Sequence, residues 1–251
     1  MFLERIGVGR RPFFYVPLTG ADINGWPRLD RAKALSWVRL PLQGMGFRFN
    51  GICANFGGIM EVANLLDIHT REELYAWYLE HHVTVPDFWL RVNRAAADCL
   101  GVVRYVDAVE VALCFGWIDS TMKRIDDGKP VQHFTPRRKG SNWCEQNLVR
   151  CRRLVRLGEM TPAGLAVAPS LDPSGFVFED WVLDALKADA AAWAFFQASP
   201  ENYRRIKVDR IQHYRHTDRP DYALRTLAKF VQDCHDGKLQ PGWSDFGRLE
   251  V

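Results

Sequence analysis

From Thr70 onward the chain repeatedly pairs a helix-opening residue with a downstream glycine or polar stop, and this punctuation commits it to a mainly α fold. Thr70 with Glu73 three residues later makes a capping-box pattern, followed by Leu74, Trp77 and Tyr78 on one side. Thr84, Pro86 and Asp87 read as a second helix start, with Phe88, Leu90 and Val92 following. A third helix is expected over 105–115, where Val106, Val109, Ala112 and Leu113 form a wide apolar face and Gly116 stands at the stop. That face is broad enough to predict a central, mostly buried helix.

The pattern continues to the C-terminal end. A helix over 142–157 is bounded by Gly158, with Asn142 and Glu145 placed to cap it reciprocally. Thr161-Pro162 is a compact further start, 169–175 reads as a loop, and 180–196 reads as one Ala-rich helix. Ser199-Pro200 opens another helix to about His213, and Asp218, Pro220 and Asp221 open the last, ending near Cys234.

Residues 1–60 behave differently. They hold nine Gly and four Pro. Segments 13–18 and 36–40 are candidate short strands. Gly51, Gly57 and Gly58 form neither GxGxxG nor a phosphate loop. The expected organisation is therefore a Gly- and Pro-containing segment over 1–69, irregular or short-stranded and packed on the main body, joined to a compact helical body over 70–251.

Composition excludes the unusual architectures. At 251 residues, 47% hydrophobic and 25% charged, the chain can bury a large core without metals or disulfides. Six scattered cysteines, with no CxxC pair, suit buried reduced thiols. No cofactor and no metal are expected. A net charge of +3 is too balanced for a protein built mainly to coat nucleic acid. No apolar run reaches the length of a membrane span, and no secretory leader follows Arg5, Arg10 and Arg11, so the expectation is a cytoplasmic protein without transmembrane association.

The densest polarity follows the third helix. Trp117, Asp119, Lys123, His133, Arg137, Arg138, Ser141 and Trp143 all fall within 27 residues. Between Lys123 and Glu159 ten Lys or Arg face four Asp or Glu. A basic, Gly-containing corner running into a helix start suits an anion, because first-turn N–H groups and the helix dipole add to guanidinium donors. Three readings of this corner stand side by side: a structural ion-pair network of Arg137 with Asp119, Asp126 or Asp127, an anionic-ligand site, and nucleic-acid contact. Asp119 and His133 are the weak acid–base candidates for catalysis, and Cys144 at the helix start is a candidate for a stabilised thiolate. Asp209, His213 and His216 share helical spacing, but Arg210 and Arg215 beside them disfavour a cation.

Several of these residues also carry a resemblance. Residues 112–119, then Phe134-Thr135-Pro136-Arg137-Arg138, Ser141, Trp143 and Asn147, and Gly158-Glu159-Met160-Thr161-Pro162-Ala163-Gly164, resemble the YdeI/OmpD-associated family, whose members are labelled bacteriocin-protection proteins. The likeness extends upstream to 77–89 and downstream to Tyr203, Arg204, 211–212 and 243–249, covering about 70–251. Asn147 joins the candidate site through this motif. The resemblance implies a stress-associated protein and a periplasmic setting, which conflicts with the expectation of no leader; it implies no particular reaction.

Taken together, the sequence predicts a protein that binds an anionic small molecule or phosphate-bearing group through Trp117, Asp119, Lys123, Arg137, Arg138, Ser141, Trp143 and Asn147. The alternatives are an enzyme using Asp119 or His133 as acid or base, and a scaffold that engages a protein partner or, less readily, nucleic acid.

Overall fold

The apolar face over 105–115 becomes α2 (Tyr105–Cys114), and it runs through the centre of one core as expected. Residues from Ala108 to Cys114 are at most 1% exposed, the charged Glu110 included. The computed structural model describes residues 62–95, 101–125 and 128–250; the segment 1–60 with its two candidate strands lies outside them. So do Asp126 and Asp127.

The described residues form eight helices and a small open sheet, so the fold is mainly α. β1 (Leu65–Leu66) and α1 (Arg71–His81) come first. Thr70 caps α1 by accepting from the Glu73 N–H at 3.1 Å, while the Glu73 carboxylate accepts from His69 N–H at 2.9 Å. β2 (Phe88–Asn93) stands where a second helix was expected. Phe88, Leu90 and Val92 alternate with period two and turn one face to the core, so the pattern is a strand's; Pro86 opens the extended segment and not a helix.

The second correction concerns the polar stretch after α2. β3 (Val103–Arg104) precedes α2, and β4 (Trp117–Arg124) and β5 (Pro130–Pro136) follow it as an antiparallel hairpin. Only the turn at 128–130 was legible. In β5 the four residues Val131, Gln132, His133 and Phe134 are all buried, so alternation is absent. The hairpin register shifts between Asp119 and Met122, an irregularity that re-aims the side chains on either side of it. β2 joins the sheet together: it pairs antiparallel with β5 and parallel with β1 and β3.

The remaining elements are α3 (Glu145–Arg156), α4 (Pro162–Val167), α5 (Asp180–Lys187), α6 (Ala190–Ala198), α7 (Glu201–Arg215) and α8 (Pro220–His235). The Ala-rich stretch expected as one helix is two, because the Asp189 side chain accepts from Ala191 N and Ala192 N and opens α6 there.

Two cores follow. The first lies between the sheet, α1 and α2 and is largely aromatic, with Tyr78, Phe88, Phe115, Trp117 and Phe134 in contact. The second joins α5 to α8 and the C-terminal tail through Phe196, Tyr203, Phe230 and Trp243. α3 touches both, sending Cys151 and Leu154 into the first and Val149 into the second.

Candidate functional site

The corner between β5 and α3 is shaped by its backbone. Arg137 N–H donates to Gly116 O at 2.9 Å, which ends the hairpin against the C-terminal end of α2. The chain then turns through Gly140 at φ +74°, with Ser141 N–H on Arg138 O at 3.0 Å. This turn directs Arg137 inward, where it is 8% exposed, and leaves Arg138 in solvent.

The Arg137 guanidinium lies over the Trp143 ring, with Cζ 3.6 Å from the centroid. Its Nη1 donates to Asn142 O at 3.2 Å and, at the long distance of 3.5 Å, to Ser141 Oγ. Nε is buried with no partner among the described residues. No carboxylate of the described residues pairs with this side chain, and burial lowers its pKa from the usual arginine value. A buried guanidinium normally finds an anion, so these donors are under-used.

Arg137 borders a cavity of about 620 Å³ together with Trp143, Cys144, Asn147 and, from α7, Asp209 and His213. A second cavity of about 760 Å³ shares Cys144 and Asn147 with it. The wall of that second cavity carries Arg94, Tyr105, Asp119, Arg150, Trp243 and Asp245. Tyr105 donates to Asp119 Oδ2 at 2.7 Å, and burial with the Asp119 charge pushes the phenol up to about 12. Arg94 stacks over Tyr105 at 3.6 Å and donates to Gln132 Oε1 at 2.6 Å. Arg150 holds Asp245 through Nε at 2.6 Å and Nη2 at 3.0 Å, and its Nη1 reaches Asn147 Oδ1 at 2.6 Å. The result is a charged and aromatic cleft whose wall is set by hydrogen bonds.

Residues 66–167 match the family described as Domain of unknown function (DUF8412). No curated protein and no solved structure matches the chain. The matched span carries Asp119, Arg137, Trp143, Asn147 and Arg150; α7 and the tail, beyond it, complete the cleft with Asp209, His213, Trp243 and Asp245.

The candidates named from sequence divide cleanly. Arg137, Ser141, Trp143 and Asn147 come together, and Asp119 lies on the wall of the adjoining cavity. Trp117 does not join them: it is 1% exposed in the aromatic core and donates through Nε1 to His82 O at 3.2 Å. Lys123 sits over Trp89, with Nζ 5.6 Å from the ring, away from both cavities. Arg138 is exposed and lines neither cavity.

His133 and Asp119 cannot act as a pair. Asp119 is opposite Phe134 in the ladder, and His133, one residue earlier, points to the other face of the sheet. There it stacks on Trp89 at 4.6 Å, bonds Ser120 Oγ through Nδ1 at 3.0 Å and approaches Asp87 at 3.5 Å.

The start of α3 also differs from expectation. Asn142 and Glu145 do not cap it reciprocally; Asp209 of α7 accepts the Glu145 N–H at 2.9 Å. Part of the anion-attracting helix terminus is therefore occupied by a carboxylate of the protein itself. At Cys144 desolvation outweighs the Asn147 N–H and nearby Arg150 and raises the thiol pKa, the reverse of a stabilised thiolate.

Arg94, Arg150, Trp243 and Asp245 were not anticipated as site residues, and Asp209 entered only as a disfavoured metal ligand. They come from four separate stretches of chain, and only the folded arrangement joins them.

Proposed function

We propose that the protein binds an anionic small molecule in the cavity bordered by Arg137, Trp143 and Asn147. One observation carries this reading: Arg137 is buried on a cavity wall with an unpartnered Nε and only neutral acceptors for Nη1. A carboxylate or phosphate entering the cavity supplies the missing negative charge beside the guanidinium. Trp143 holds the guanidinium plane in place, which lowers the ordering cost of binding. The adjoining cavity, with Arg94, Tyr105 and Asp119 on its wall, offers aromatic and hydrogen-bonding surface for the rest of such a ligand. The stress and bacteriocin-protection setting rests on the resemblance of residues 70–251 to the YdeI/OmpD-associated family and on nothing in the cleft.

Calorimetry against a panel of carboxylates, phosphate esters and nucleotides tests the reading. Arg137→Ala is expected to weaken any binding by about tenfold or more, the loss of one charge-assisted contact. Arg138→Ala, in solvent, leaves it unchanged. Equal affinity in wild type and Arg137→Ala would remove the proposal.

A further inference from the structure

α7 and α8 pack against each other, and the groove along them, which shares only 239–241 with the central cleft, holds a concentration of positive charge that the cleft does not use. A cavity of about 590 Å³ there is lined by Lys207 and Arg210 of α7, Arg225 and Lys229 of α8, and Lys238 of the loop that follows. One carboxylate, Asp233, faces these five cations. It is already engaged by Lys229 Nζ at 3.0 Å and Gln240 Nε2 at 2.7 Å. Lys238 pairs with Asp236 at 3.0 Å.

Three cations are left over. Lys207 Nζ donates only to the carbonyl of Pro241, at 2.9 Å. Arg210 and Arg225 make no ion pair or hydrogen bond among the described residues. We propose that this groove is a second ligand site, separate from the cleft at Arg137, that takes a compact polyanion such as a phosphoanhydride chain.

Burial, with Arg210 adding to it against the pull of Asp233, lowers the Lys207 ammonium from its ordinary value to about 8. A multiply charged anion between Lys207, Arg210 and Arg225 relieves that repulsion, whereas a singly charged carboxylate leaves two of the three cations uncompensated.

The geometry favours a short anion over a nucleic-acid strand. Lys207 and Arg210 are three residues apart and Arg225 and Lys229 four apart, so each pair spans only ~4.5–6 Å of helix axis. The groove's aromatic residue, Tyr222, has Arg219 over its ring at 4.9 Å and Tyr214 edge-on at 4.6 Å. Arg219 thus takes up a ring face on which an unpaired base would stack.

The test is calorimetry of the full chain with inorganic phosphate, pyrophosphate and triphosphate at low and moderate salt, beside a single-stranded oligonucleotide. Affinity is expected to rise from phosphate to triphosphate and to fall with salt. The Arg210→Ala/Arg225→Ala double variant is expected to lose about tenfold or more. Both side chains are exposed, so its thermal melting should match wild type. Arg137→Ala must leave triphosphate binding intact, which separates failure here from failure at the central cleft. Triphosphate binding that survives the double variant, or is lost with Arg137→Ala, overturns the proposal. So does oligonucleotide binding that grows with length while triphosphate fails to bind.

Discussion

Arg137 lies over Trp143, its Cζ 3.6 Å from the ring centroid, and this is the contact by which the fold holds a buried guanidinium without an acidic partner among the described residues. Stacking of this kind contributes about 0.5–2 kcal/mol, less than the desolvation of an unpaired charge costs. Arg137 should therefore lower the stability of the empty protein. Arg137→Met, which keeps the stem's packing and removes the charge, is expected to leave the melting temperature unchanged or raise it while weakening anion binding at the central cleft by about tenfold or more. Thermal melting with calorimetry checks both halves. A loss above ~2 kcal/mol would show that the guanidinium is there to hold the fold.

Arg150 and Asp245 make the opposite arrangement. Their side chains are 9% and 6% exposed, and two hydrogen bonds join them. Gln146 adds a third contact to Asp245 Oδ1 at 3.0 Å, so the tail is fastened over the cleft by this carboxylate. Asp245→Ala leaves Arg150 buried and unpaired and is expected to cost about 3–5 kcal/mol in denaturant unfolding. Because the break strands a charge, Arg150→Met/Asp245→Leu should cost less than the single change. If the double variant is the less stable of the two, the pair contributes through attraction that outweighs its desolvation.

The helical frame was legible because its signals are local. Thr70 caps α1 through Glu73, Thr161 caps α4 through Gly164, and the apolar face of α2 appears at its expected place. β2 was misread because Trp89 is apolar on the strand's other face, so the alternation of Phe88, Leu90 and Val92 is interrupted by a second buried ring. Half of the cleft was legible for the same reason that capping was: Arg137, Ser141 and Trp143 are near neighbours in the chain. Trp117 lies close to them in sequence, yet strand geometry turns it into the core. Asp209 and Asp245 reach the cleft only through tertiary packing, and no local pattern announces them.

Gly164 gives a sharper stability test than the exposed turns do. A Cβ there would stand 2.4 Å from Cys114 O and 2.6 Å from Leu113 O, both backbone atoms at the end of α2. Thr161 fixes the same approach, with N–H and Oγ1 on Cys114 O at 3.2 and 2.5 Å. α4 therefore cannot retreat without breaking those bonds. Gly164→Ala is expected to destabilise by about 1–3 kcal/mol. Gly158→Ala meets open space and carries only the left-handed strain of φ +71°, about 1–2 kcal/mol. Denaturant midpoints of the two variants decide this, and a Gly164→Ala protein as stable as wild type would show that the close approach of α4 to α2 relaxes freely.

The buried thiols predict how stability responds to alkali. Burial pushes Cys114 and Cys151 from their ordinary 9.0 up to about 12, and Cys234 up to about 11. All three are 0% exposed. Above pH 9 the unfolded chain releases these protons while the folded chain keeps them, so stability falls as pH rises, by up to about 1.4 kcal/mol per pH unit for each thiol. Lys207 has the opposite sign, because between about 8 and its ordinary 10.5 the folded state is the one that has lost the proton. One rising contribution cannot offset three falling ones. Tyr105 and Tyr203, pushed from 10.0 to about 12, join the falling side above pH 10. Urea unfolding at intervals between pH 8 and 10.5 should show a free energy that is level or slightly rising to pH 9 and declines beyond it. Cys234→Ala lowers the stability at neutral pH but should remove about a third of what the three buried thiols contribute to the alkaline slope. A slope unchanged in that variant would mean that the decline comes from other groups.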